Sequence, residues 1–145
     1  MRPLALEDSD RGLTKAVAWL GIAGGATVIG GYLSTTFLLW MYWGAYYGPP
    51  NWGFWACFGV PSFALGGIGI ALGLRARSGR LHPAGLGIAG VFSMPAGFFF
   101  FGGIPTILGG VVLLVAAVLA TVEEQRIALA ASMHLRPEGA AGGKV

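Results

Sequence analysis

Uncharged, largely apolar positions run unbroken from Ala16 to Leu74 and again from Leu81 to Val122. Charge is confined to three short stretches. Arg2, Glu7, Asp8, Asp10, Arg11 and Lys15 lie at the start, and Arg75, Arg77 and Arg80 lie in the middle. Glu123, Glu124, Arg126, Arg136, Glu138 and Lys144 lie at the end. A water-soluble surface carries both signs of charge throughout, so this pattern excludes one. It predicts two uncharged hairpins whose ends and middle loop share one side of a membrane. About 20 apolar residues cross about 30 Å of hydrocarbon. Four segments meet that length, at about 16–47, 52–74, 84–101 and 104–122. None alternates in polarity as a barrel strand does, so all four are expected to be helices.

The expected fold class is therefore all-α: a four-helix transmembrane bundle of two antiparallel hairpins. Basic residues concentrate on the cytoplasmic side of spans. All nine Lys and Arg lie on the side shared by the ends and the middle loop. Both termini are therefore expected in the cytoplasm. Residues 1–15 read as a cytoplasmic N-terminal segment, with Asp8, Ser9 or Asp10 placed to cap the first helix. Residues 16–122 read as the transmembrane domain. Residues 123–145 read as a cytoplasmic helical extension, ended by Pro137 and Gly139, and a disordered tail. The start of the chain is too acidic, and the following apolar run too long, for a cleaved signal. The first span is long: Ala16 to Tyr47 holds no charge and no proline, so it must tilt, protrude or stop early.

Composition adds the class and the packing chemistry. Hydrophobic residues make up 55% of the 145 and charged residues 10%, values of an integral membrane protein. There are 26 glycines, and most sit inside the apolar runs, where small residues let helix backbones approach. At helical spacing they mark packing faces: Gly21 and Gly25 in span one, Ser62, Gly66, Gly69 and Gly73 in span two, Gly90 and Gly97 with Ser93 in span three, and Gly110 with Thr106, Ala117 and Ala120 in span four. Pro95 falls mid-span in the third segment, where it is expected to bend the helix.

Aromatic residues concentrate elsewhere. Trp40, Tyr42, Trp43, Tyr46, Tyr47, Trp52, Phe54, Trp55 and Phe58 fall within one stretch across the first connection. Indole and phenol rings favour the headgroup layer, which predicts an outer aromatic belt. Within it Trp40, Trp43, Tyr46, Tyr47, Trp52 and Trp55 are the candidates for contact with a partner chain or a lipid.

The chemistry that is missing narrows the function. No Asp, Glu, Lys, Arg or His lies within an uncharged run except His82 at its edge, which disfavours proton-coupled transport. Spans without histidine lack the usual haem ligand. No Cys/His metal spacing, phosphate loop or nucleophile–base pair is present. No enzyme, cofactor, metal or nucleic-acid reading follows, and the basic residues line span boundaries instead of forming a dense stripe. Cys57, the only cysteine, reads as a small apolar packing residue.

The two hairpins share short motifs. Gly21-Ile22-Ala23-Gly24 matches Gly87-Ile88-Ala89-Gly90, and Val60-Pro61-Ser62 matches Ile104-Pro105-Thr106. A duplication would relate them by an axis along the membrane normal. The second hairpin, from Ala84-Gly85-Leu86-Gly87-Ile88-Ala89-Gly90 through Gly103-Ile104-Pro105-Thr106-Ile107-Leu108-Gly109-Gly110, resembles small uncharacterised four-span membrane proteins of bacteria and archaea. That resemblance implies a compact helical membrane bundle and no particular activity.

The expected function is association within a prokaryotic plasma membrane. The chain would be an accessory subunit of a membrane complex or a homo-oligomer, with lipids and other membrane subunits or copies of itself as partners. The alternative is an oligomeric pore or facilitator for a small neutral or apolar solute.

Overall fold

A computed structural model of the chain describes residues 4–47, 52–99 and 103–134. They form four helices: α1 (Leu4–Tyr47), α2 (Trp52–Arg77), α3 (Pro83–Phe99) and α4 (Gly103–His134). Among the described residues there is no strand. Uninterrupted apolar sequence favours this outcome, because a helix satisfies its backbone within one segment.

Three of these helices are long and apolar enough to cross a membrane: α1 over Gly12–Tyr42, α2 over Gly59–Arg77 and α4 over Gly103–Ser132. The third expected span is shorter. α3 has 17 residues, or about 25 Å of helix at 1.5 Å per residue. Residues 100–102, between α3 and α4, lie outside the described residues. Gly103 opens α4 with φ of 64°, in the region where a side chain is strained.

α1 departs from expectation in length. It does not stop early but runs for 44 residues, about 66 Å. It begins at Leu4, so Asp8, Ser9 and Asp10 lie inside the helix and do not cap its start. Ser, Asp and Asn cap a helix only where the chain leaves helical geometry, and here the turn before them is helical already. α4 likewise continues past Val122 to His134 without a break. α2 and α3 continue through Pro61 and Pro95.

The end of α2 is a closed C-cap. Gly79 N–H donates to Ala76 O at 3.0 Å and Arg80 N–H to Arg75 O at 3.2 Å. Gly79 has φ of 79°. These two bonds and the left-handed glycine form the Schellman arrangement, which satisfies carbonyls the helix leaves orphaned. The chain then turns into α3, where Leu86 N–H donates to His82 O at 3.2 Å.

Neighbouring helices run antiparallel. Gly21 lies against Gly73, and Gly59 against Tyr32, so α1 and α2 pass in opposite senses. α3 and α4 do the same, with Gly90 on Gly110 and Gly97 on Gly103 and Ile107. α1 also packs along α4, with Gly24 on Gly109 and Gly31 on Thr106. The α2–α3 contact is the smallest of those between chain neighbours, and α1 and α3 barely touch.

The interior is built from small side chains. Ala18, Ala76, Ala89, Ala116 and Ala120 are buried with Val17, Val28, Leu86 and Leu113. The largest apolar side chains stand outside instead, among them Phe98 (77% exposed), Ile104 (73%), Leu38 (64%) and Val60 (64%). A soluble protein of this size rarely leaves so large an apolar surface bare.

Candidate functional site

Helix contact is what the buried small residues do. A methyl group placed on Gly21 would lie 2.9 Å from the Gly73 Cα, and one on Gly73 2.8 Å from Ala18 O. On Gly25 it would meet the Gly66 carbonyl oxygen and, at 2.8 Å, the Ile70 nitrogen. On Gly66 it would lie 2.7 Å from Gly25 O, and on Gly69 2.8 Å from a Leu113 methyl. A methyl on Gly90 or on Gly110 would lie 2.9 Å from the other's carbonyl oxygen, and one on Gly97 3.0 Å from Gly103 O. These residues and Ser62 are all buried. Backbone-to-backbone approach of this kind leaves no room for a Cβ, and it maximises van der Waals contact where no hydrophobic force acts between helices.

A second glycine face escaped the sequence analysis. Gly24, Gly31 and Gly109 serve the α1–α4 contact: a methyl on Gly24 would lie 3.1 Å from Gly109 O, and one on Gly31 2.6 Å from the Thr106 nitrogen. The signal was the glycine pairs. Successive helical residues point about 100° apart, so a pair can serve two neighbours at once. Gly24 faces α4 while Gly25 faces α2, and Gly109 faces α1 while Gly110 faces α3. Gly30 and Gly67, the spare members of two further pairs, meet nothing within 4 Å.

Buried polar groups punctuate these contacts. Thr106 Oγ1 donates to Val28 O across the α1–α4 contact at 3.3 Å. Ser93 Oγ returns its proton to Ala89 O, one turn back, at 2.7 Å. Ser62 Oγ is buried without a partner. Tyr32 packs its ring edge-on to Phe63, centroids 5.7 Å apart.

Glu123 is an acid that the helices enclose. It directly follows an uncharged run and is only 2% exposed, between α4 and α1. Thr14 Oγ1 donates to its Oε1 at 3.4 Å, and Oε2 is buried without a partner. Its neighbour Glu124 is exposed. The helical rotation between the two decides which acid is enclosed, and that rotation is invisible to a charge count.

The aromatic candidates are mostly out of view. Trp40 is 45% exposed, with Phe37 6.3 Å away between ring centroids. The side chains of Trp43, Tyr46, Tyr47, Trp52 and Trp55 lie outside those described. Trp19, the tryptophan beyond that cluster, sits at the charged end. It is 60% exposed, with the Arg77 guanidinium 4.7 Å from its ring centroid. This cation–π contact ties α1 to the end of α2.

Among the described residues, no group of three or more His, Cys, Asp or Glu side chains converges as metal ligands. What the small-residue faces offer is contact and shape. Comparison with family models, curated proteins and solved structures finds no match.

Proposed function

We propose that the chain is a multi-pass membrane protein, a four-helix transmembrane bundle with both termini in the cytoplasm. It acts by association, as an accessory subunit of a membrane complex or as a homo-oligomer. The observation that carries this reading is the inversion of its surface. Small residues fill the inside while Phe, Ile, Leu and Val cover the outside, which suits lipid or another apolar helix and no aqueous site.

Two small-residue faces are left for a partner. Gly30 has open space around it, with Ala23, Thr27 and Ser34 exposed on the same side of α1. Gly67 is open too, with Ala64 and Ala71 exposed near it on α2. Their spacing resembles that of the buried faces, and neither glycine meets another helix among the described residues. The exposed Trp40 adds an aromatic contact of the type enriched at interfaces.

Purification in mild detergent tests the reading. A stoichiometric partner or a defined oligomer is expected, and Gly30→Leu and Gly67→Leu are expected to remove it while thermal stability stays unchanged. A wild-type chain that elutes as a lone monomer from every mild detergent would sink the association reading. A ring-shaped oligomer that passes a neutral solute in liposomes would favour the pore. Topology is checked separately. Reporters fused after Tyr47 and Gly102 are expected outside, and those after Gly79 and Val145 inside. An external signal at Gly79 contradicts the arrangement.

A further inference from the structure

At the charged end, where α2 hands over to α3, the surface holds a cavity of about 520 Å³ that opens outward. Its size falls in the range of about 300–1,000 Å³ usual for small-molecule sites. Arg75 and Glu124 line it from different helices, with His82 between the elements and Leu72, Leu81 and Pro83 forming an apolar wall. The two charges face one cavity without pairing: neither Arg75 nor Glu124 makes an ion pair among the described residues. An exposed cation and anion left apart in this way fit a ligand that carries both signs.

The same cavity stands at the head of an apolar seam. α2 and α3 touch closely where Leu72 meets Gly85, and their contact is otherwise the smallest between chain neighbours. One turn along from these residues, Ile68 and Ile88 are exposed, at 45% and 59%. Charge of both signs at the boundary, with an uncovered apolar seam beneath it, matches an amphiphile with a zwitterionic head.

We propose that this cavity seats the headgroup of an aminophospholipid, with one acyl chain lying along the α2–α3 seam. The Arg75 guanidinium holds the phosphodiester, a pairing for which its planar fork is suited. The Glu124 carboxylate accepts hydrogen bonds from the primary ammonium, and His82 stands beside the phosphate. The ammonium is what distinguishes this occupant from other lipids. A trimethylammonium head cannot donate a hydrogen bond to Glu124, and a glycerol head brings no cation to it. The inference rests on the membrane reading above and adds a lipid class to it.

Native mass spectrometry of the full chain in detergent tests it, titrated with phosphatidylethanolamine, phosphatidylglycerol and phosphatidylcholine of matched acyl chains. The wild type is expected to bind phosphatidylethanolamine about tenfold more tightly than the other two, the factor carried by one charge-assisted hydrogen bond. Glu124→Gln is expected to abolish that preference. Arg75→Gln is expected to weaken phosphatidylethanolamine by a similar factor. Both residues are exposed, so neither change should disturb folding, and an unchanged thermal midpoint checks this. Soluble phosphoethanolamine at equal concentration should not displace the lipid, because it lacks the acyl chain that fills the seam.

Equal binding of the three lipids, a preference for phosphatidylglycerol, or a Glu124→Gln variant that keeps the wild-type preference would each overturn the site. Displacement by soluble phosphoethanolamine would overturn the seam and point to a free metabolite. Extraction of membranes at alkaline pH separates the two levels. A chain released by it contradicts the membrane reading itself, whereas a chain retained but indifferent to lipid class contradicts only the headgroup site.

Discussion

Gly25→Leu is expected to break the α1–α2 contact and to lower the thermal midpoint more than any other single glycine change in this chain. Even the first added carbon would fall on the Gly66 carbonyl oxygen, with the Ile70 nitrogen at 2.8 Å and an Ile70 side-chain carbon at 2.9 Å. Two of these three obstacles are backbone, which cannot rotate aside. Overpacking a tight site costs about 1–3 kcal/mol and occasionally more, and native proteins hold only about 5–15 kcal/mol in total. Leucine also forces the helices apart along their whole contact, so Gly21 and Gly73 lose their approach as well.

Gly69→Leu is expected to act in the same direction but more weakly, because its nearest neighbour is a Leu113 methyl that can shift. The control lies nearer the start of the helix that holds Gly25. Gly12→Ala meets nothing within 4 Å and is expected to be neutral or to stabilise by about 0.5–1 kcal/mol through helix propensity. Thermal unfolding in detergent, followed by circular dichroism, reads all three. A Gly25→Leu midpoint equal to the wild type would show that the two helices do not meet at this residue.

The second large effect has the opposite sign. Glu123→Met is expected to stabilise the chain. The carboxylate is nearly enclosed, its Oε2 has no partner, and the single bond to Thr14 is long at 3.4 Å against about 2.5–3.0 Å for a sound O–H···O bond. A buried acceptor left unsatisfied costs about 1–3 kcal/mol, and more when charged, while an ordinary hydrogen bond returns about 1. Methionine keeps nearly the same length and flexes to fit the enclosed space.

The expected gain is therefore about 1–2 kcal/mol, seen as a higher midpoint. Glu123→Ala is expected to gain less, because it removes the same oxygen but leaves a cavity between α1 and α4. If Glu123→Met instead lowers the midpoint, the carboxylate is held by something stronger than Thr14, and its place between the helices acquires a purpose beyond packing.

These two positions also mark the boundary between what a sequence declares and what a fold decides. Helix formation in an apolar run is a local matter: each backbone bond closes over four residues, and without water nothing else will satisfy the groups. The uncharged stretches were thus enough to anticipate four helices. The arginines at Arg75, Arg77 and Arg80 stand at the end of the second. The start of the first was less legible. Leu4 to Lys15 is charged and mixed, so hydropathy ended where the helix did not.

Which side of each helix meets which neighbour is not local. It depends on how four cylinders are rotated against one another, and that is set by contacts between residues as far apart as Gly24 and Gly109 or Thr14 and Glu123. A single stripe of small residues could be read from spacing. Two faces on α1, one for α2 and one for α4, emerged only when the helices were packed, because adjacent glycines look identical in sequence and diverge by about 100° in space. The sequence by itself determined an uncharged, glycine-rich, helical chain with its charge at the ends and the central loop. The tertiary structure alone decided that Gly25 faces α2 and Gly24 faces α4, that Glu123 is enclosed while Glu124 is exposed, and that Arg75 and Glu124 share a cavity. Each of those outcomes is a consequence of helix rotation, which no one-dimensional pattern contains.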